Sequence, residues 1–170
     1  RRDAKDAPIC YFLSFKKRVF RRIKIRMSEK FSQKRALSGV IAKLKTAGLR
    51  PTRQRIALAK LLFEPNDRHV TAEDLHKKAI AAGISVSLAT VYNTLHQFTQ
   101  KDLLREVVVE PGRSYFDTNT DDHHHFFNEN TGSLEDIPSD QIFVSALPSA
   151  PLGTKVRRVD VIVRVEEAAD

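Results

Sequence analysis

Apolar residues recur at helical spacing from residue 35 to residue 100 and then switch to the alternation of strands. Leu37, Val40, Ile41 and Leu44 lie three, one and three residues apart, which turns one stripe of a first helix inward, and Gly48 closes it. Pro51-Thr52 opens a second helix with Ile56, Leu58, Ala59, Leu61, Leu62 and Phe63 as its apolar set, ended by Glu64-Pro65-Asn66-Asp67. Thr71, with Asp74 three residues on, has the spacing of a capping motif for a third helix. That helix carries Leu75, Ala79 and Ile80 inward and stops at Gly83. Ser87 is a good N-cap for a fourth, in which Leu88, Val91, Leu95 and Phe98 form the buried seam.

After Lys101-Asp102 the period becomes that of a strand. Leu103 to Glu110 is a β run, Pro111-Gly112 a turn, and Arg113 to Asp117 the returning strand. Helices followed by such a hairpin outline a winged helix. A second, smaller region follows, with strands at His123 to Phe127 and Leu134 to Ile137, a short helix over Ser139 to Leu147, and an alternating strand over Val156 to Val165. The predicted class is α+β: a winged helix-turn-helix domain over 27–117, then a small α/β domain over 118–170.

The formal charge of +8 says less about partners than it first suggests. Residues 1–26 hold ten Lys/Arg against Asp3 and Asp6, so the whole net charge sits there. This basic extension reads as disordered or as upstream translated sequence, because Met27-Ser28-Glu29-Lys30 resembles a natural start. It has no small-residue cleavage site, so a secretory signal is not expected. Beyond it, 27–117 carries 15 basic and 9 acidic residues, whereas 118–170 carries 4 and 10. A basic part joined to an acidic part suits one region that meets phosphates and one that does not. No apolar run approaches the length of a membrane span, so no membrane partner is expected. Cys10 is the single cysteine, which fits a reducing, cytoplasmic setting.

With its seam turned inward, the fourth helix shows Ala89, Thr90, Asn93, His96 and Gln97 on the opposite face, with Tyr92 at the edge. Small and hydrogen-bonding residues without carboxylates suit a helix in the major groove of duplex DNA. Ala89 and Thr90 can touch thymine methyls, Asn93 can read adenine, and Tyr92 can stack on the backbone or meet a base. Ser87 and Thr52 stand at helix starts, and Lys45, Arg50, Arg53 and Arg55 flank the second helix, where they can straddle phosphates.

His123-His124-His125 lies in a strand, so His123 and His125 share one face and His124 points to the other. Three imidazoles of a regular strand cannot chelate one ion, and partners must come from elsewhere. His69, Asp117 and Asp136 are the obvious ones, and mixed imidazole and carboxylate ligation suits Fe(II), Mn(II) or Zn(II). An enzyme is not expected, since the sequence shows no Gly-rich phosphate loop, no nucleophile elbow and no HExxH helix.

Five ordered blocks resemble the ferric uptake regulator family. They are Gly48-Leu49-Arg50-Pro51-Thr52-Arg53-Gln54-Arg55, His69-Val70-Thr71-Ala72-Glu73-Asp74-Leu75, Leu88-Ala89-Thr90-Val91-Tyr92-Asn93-Thr94-Leu95, Pro111-Gly112-Arg113-Ser114-Tyr115-Phe116-Asp117 and His123-His124-His125. The resemblance implies a homodimer, with 118–170 as the dimerisation domain, that binds AT-rich inverted repeats of double-stranded DNA when an iron-linked ligand allows. It maps the regulatory metal site onto His69, Asp117, His125 and Asp136, and the family's additional histidine onto Phe127. A second family site falls on His124, beside Phe126 where the family carries a carboxylate.

The cysteine pairs of the family are missing, and no cysteine follows Cys10, which excludes a four-cysteine structural zinc. Their loss, with the His-His-His-Phe-Phe run, resembles the iron response regulator branch, whose members sense haem. On that resemblance haem is the favoured cofactor, with His69, His123, His124 and His125 as candidate ligands and Phe126 and Phe127 as cover for the macrocycle. Conventional repression by Fe, Mn or Zn is the alternative.

Overall fold

A computed structural model describes residues 35–63, 69–110 and 112–167. The basic extension over 1–26, the predicted helix stop at 64–67 and Pro111 of the hairpin turn lie outside the described residues. The order is α1 (35–46), α2 (Arg53–Leu62), β1 (His69–Val70), α3 (Ala72–Ala81), α4 (Leu88–Gln100), β2 (Arg105–Glu110) and β3 (Arg113–Asp117), then β4 (His123–Asn128), β5 (Leu134–Pro138), a 3-10 turn (Ser139–Gln141) and β6 (Ile162–Val165). The class is α+β, as the periodicity predicts.

Local chemistry sets the helix ends. Thr52, Thr71 and Ser87 are extended N-caps whose hydroxyl oxygens accept from the backbone N–H of Arg55, Asp74 and Thr90. Each such cap contributes about 1 kcal/mol. Gly83 ends α3 with φ of 72°, and its left-handed turn lets the Ile84 N–H return to Ala79 O at 2.9 Å.

The helices pack around Phe98, Leu44, Leu58, Leu62, Leu75, Val91 and Leu95, all essentially inaccessible. Two expectations for this core are corrected. Leu88 is only half-buried at the first turn of α4, and Thr94 completes the seam at 5% exposure. Thr94 is tolerated there because its hydroxyl donates to Thr90 O at 2.8 Å. Ile80 is 52% exposed, because it lies one helical step beyond the buried line of Ala72, Leu75 and Ala79.

Two three-stranded sheets follow, in orders β1-β3-β2 and β5-β4-β6. In the first, β3 pairs antiparallel with β2 as the predicted wing and with the two-residue β1 on its other edge. In the second, β4 pairs antiparallel with β5 and parallel with β6. The helix expected over Ser139 to Leu147 is a single 3-10 turn, Ser139–Gln141. Phe143, Val144 and Leu147 are 86%, 44% and 53% exposed, and a helix this short does not hold without a packed face. The strand expected over Val156 to Val165 is restricted to Ile162–Val165, where β4 offers a partner.

The wing joins the second sheet through a small cluster of Val107, Val109, Tyr115, Phe127 and Leu134, with Ile162 against it. The Tyr115 hydroxyl donates to Gly132 O at 2.6 Å, and Arg164 bonds Val109 O across the same seam. Among the described residues, no helix is long and apolar enough to cross a membrane.

Candidate metal centre

Register builds the centre. His69 of β1 stands opposite Asp117 of β3 in the first sheet, and His125 of β4 stands opposite Asp136 of β5 in the second. Each sheet thus contributes one cross-strand His/Asp pair. The strand period of two puts His123 on the same face as His125, and their rings meet edge to face with centroids 4.5 Å apart. One potential ligand atom from each of His69, Asp117, His123, His125 and Asp136 falls within a cluster no wider than 4.8 Å.

The distances have the grain of a coordination shell. Donors about 2.1 Å from a shared ion stand roughly 3.0–3.4 Å from each other. His123 Nε2 lies 2.9 Å from Asp117 Oδ2 and 3.4 Å from Asp136 Oδ1. His69 Nε2 lies 2.8 Å from Asp136 Oδ1 and 3.6 Å from Asp117 Oδ2, and His123 Nε2 is 3.0 Å from His125 Nε2. Yet the buried atoms His69 Nε2 and Asp117 Oδ2 make no hydrogen bond of acceptable geometry. Both belong to the set of donor atoms gathered within 4.8 Å of one another. An orphaned buried carboxylate oxygen is costly, and a divalent cation removes that cost. The residues present therefore fit a metal, and the donor set suits Fe(II), Mn(II) or Zn(II).

Asn119 sets the carboxylates. Its backbone N–H donates to Asp117 Oδ1 at 2.8 Å and its side-chain amide to Asp136 Oδ2 at 3.1 Å. Each carboxylate keeps its other oxygen for the cluster, an outer-shell arrangement that fixes ligand direction. Burial by itself would raise the Asp117 carboxyl. The imidazoles of His125 and His69 and the Asn119 N–H outweigh it and hold Asp117 well below the usual carboxylate range. Burial lowers His125, and His123, His69 and Arg105 nearby add to that against the opposing pull of Asp117. Burial pulls His69 the same way, but Asp117 and Asp136 raise it overall.

Sequence reasoning placed His69, Asp117, His125 and Asp136 together, and the structure brings all four into one cluster. His123, which the sequence offers as a candidate haem ligand, joins the same cluster, and Asn119 has no role legible in the sequence. Phe127, at the position of the family's additional histidine, is 1% exposed and packs edge to face on Tyr115 in the apolar cluster. His123 fills the cluster from the other end of the same strand face. His124 points away, as expected, with its Nδ1 accepting from the Val161 N–H at 3.4 Å. Phe126, also on the outer face, is 39% exposed.

The candidate DNA face is mixed. Lys45, Arg50, Arg53, Ala89, Asn93 and His96 are exposed. Arg55 is already engaged: its guanidinium donates to Gln97 Oε1 and to Arg50 O, which ties α2 to α4. Thr52 and Ser87 spend their hydroxyls on capping, and Ser87 Oγ also meets Thr90 Oγ1 at 2.9 Å. The Tyr92 hydroxyl donates to Glu73 Oε1 at 2.7 Å while its ring stacks on His96. That contact depresses the Glu73 carboxyl and raises the Tyr92 phenol.

Residues 46–162 match the model of the ferric uptake regulator family, and the chain belongs to that family. It is 44% identical over 82 residues to the ferric uptake regulation protein of Shigella flexneri, across 48% of this chain and 55% of that protein. The counterpart in Escherichia coli K12 is 43% identical over the same extent. The chain thus spans about half the length of the curated relatives it matches. Among solved structures, the Vibrio cholerae ferric uptake regulator is 27% identical with a TM-score of 0.60, over 74% of this chain and 98% of that one. The ferric uptake regulator from Pseudomonas aeruginosa with manganese is 26% identical with a TM-score of 0.58, over 75% and 97%.

Proposed function

We propose that this chain is a metal-responsive, DNA-binding transcriptional regulator of the cytoplasm that acts as a homodimer on AT-rich inverted repeats. The observation that carries the reading is the convergence of five His and Asp donors from two sheets, with buried lone pairs left over. Its donors come from both sides of the junction: His69 and Asp117 from the sheet that includes the wing, His123, His125 and Asp136 from the second sheet. An ion held by all five favours one relative placement of the two sheets. It shifts DNA affinity only as far as it binds the DNA-competent placement better. The exposed Ala89, Asn93 and His96 of α4 would meet base edges, and Lys45, Arg50 and Arg53 the phosphates.

A haem-responsive reading has one observation in its favour. His124 and Phe126 share the outer face of β4, with Phe126 partly open to solvent, and an imidazole there can serve as an axial ligand once its lone pair is released from the long 3.4 Å contact with the Val161 N–H. His123 and His125, 5% and 0% exposed with Nε2 atoms 3.0 Å apart, suit a bare ion better than a macrocycle.

Fluorescence anisotropy of an AT-rich inverted-repeat duplex, titrated at fixed salt with the full chain, separates these readings. Binding that Mn(II) strengthens and haem leaves unchanged is the expected result. Tight binding without ligand, weakened by haem, supports the haem branch instead. No preference for the inverted repeat over random duplex defeats both.

A further inference from the structure

Arg105 opens β2 and is 3% exposed, so a full positive charge lies inside the junction between the wing and β4. Burying a guanidinium is unfavourable unless its donors are used. Here the two Nη groups are used, chiefly on one short segment, while the buried Nε has no hydrogen-bond partner. Nη1 donates to Asp121 O at 3.3 Å and stands 3.2 Å from His123 Nδ1, while Nη2 donates to His123 O at 2.9 Å. Nη2 also forms an ion pair with Asp160 Oδ1, and Arg158 Nε holds that carboxylate at 3.0 Å.

The ring of His123 is fixed by the same group. Its Nδ1 lies 2.8 Å from Asp121 O, nearer than Arg105 Nη1. Asp121 O can accept a proton from Nδ1, whereas Arg105 Nη1 can only donate and needs a bare Nδ1, so a neutral ring satisfies one of these two contacts at a time. Nε2 is the atom that lies 2.9 Å from Asp117 Oδ2 and 3.0 Å from His125 Nε2 in the cluster. Arg105 thus grips the carbonyls of Asp121 and of His123 itself.

We propose that Arg105 is a positioning residue for the metal ligand His123, holding its backbone and ring direction, with Asp160 as the counter-charge. The inference rests on the metal-centre reading above. A planar fork reaches two carbonyls and a carboxylate at once; a lysine ammonium at the same place does not reproduce that geometry. Arg105 touches no ion and acts only through His123.

A double-mutant cycle on the full chain tests this, with Co(II) as the probe and its visible d–d absorption as the readout. Arg105→Lys is expected to weaken Co(II) binding about tenfold, the usual scale for an outer-shell partner, and to move the band toward that of His123→Ala. In the His123→Ala background, Arg105→Lys is expected to change neither affinity nor band. Equal weakening in both backgrounds, or no change in either, overturns the proposal. Should Arg105→Lys fail to fold, Asp160→Asn, at a part-exposed carboxylate, is read through the same cycle. It is expected to show a smaller loss that also vanishes without His123, and an equal loss in both backgrounds, or none in either, overturns the proposal just as well. If the unaltered chain binds no Co(II), the metal centre itself fails and the inference with it; binding with a flat cycle defeats the inference alone.

Discussion

The helical region and the C-terminal sheet solve burial in different ways. Among the described residues, sixteen buried hydrophobics drawn from α1 through β3 form one core around Phe98. The cluster at the second sheet has five, and three of them, Val107, Val109 and Tyr115, belong to the wing. The inner face of β4 gives two of its three positions to His123 and His125 and leaves only Phe127 for apolar contact. The first region therefore fills its core with hydrophobic side chains of its own, while the second completes its core with a neighbour's side chains and fills the rest with polar donors.

The comparison can be broken at its strongest point first. Phe98→Ala is expected to cost about 3–5 kcal/mol, the range for emptying a buried aromatic site, read by urea unfolding followed with circular dichroism. A loss under about 1 kcal/mol would show that the helical core does not depend on its central ring. Asn119→Ala comes next. It should leave helical content unchanged and weaken Mn(II) binding about tenfold in a calorimetric titration, because Asp136 loses the side-chain amide that orients it. Only the side-chain bond to Asp136 is removed outright, so undiminished affinity would mean that Asp136 finds its direction without help. The smallest effect is Tyr115→Phe, which deletes the donor to Gly132 O and should cost about 1 kcal/mol. Faster amide exchange at the β4–β5 turn is the expected sign; unchanged exchange would leave docking of the wing to the apolar cluster and the Arg164 bond to Val109 O.

The helices and their caps were legible because everything that specifies them is local: the spacing of Val40 and Leu44, or a hydroxyl placed three residues before the N–H it accepts from. Four of the five clustered donors were legible too, through chemistry and resemblance. His123 was half visible. Strand alternation already put it beside His125, but the same rule puts Phe127 on that face. Which of the two faces the apolar cluster depends on where Tyr115 and Leu134 sit, and that is tertiary. Asn119 gave no signal, since an asparagine between two strands has many local uses. Ser139 to Leu147 misled because its apolar residues suggest a packed element, whereas Phe143 and Leu147 find no face to cover among the described residues. Ile80 misled for a related reason: an apolar side chain next to a buried line is not thereby part of it.

The parallel pairing of β4 with β6 carries a consequence for the order of folding. β4 and β5 close as a hairpin across a short turn, but β6 reaches β4 only after the chain has travelled from Pro138 to Ile162. Closing that longer loop has the larger entropic cost and comes after the local pairing. The backbone N–H of His125 bonds to Val161 O, immediately before β6. The strand that bears the histidines thus takes its second edge from a distant part of the chain, at a larger cost in loop entropy than its hairpin partner.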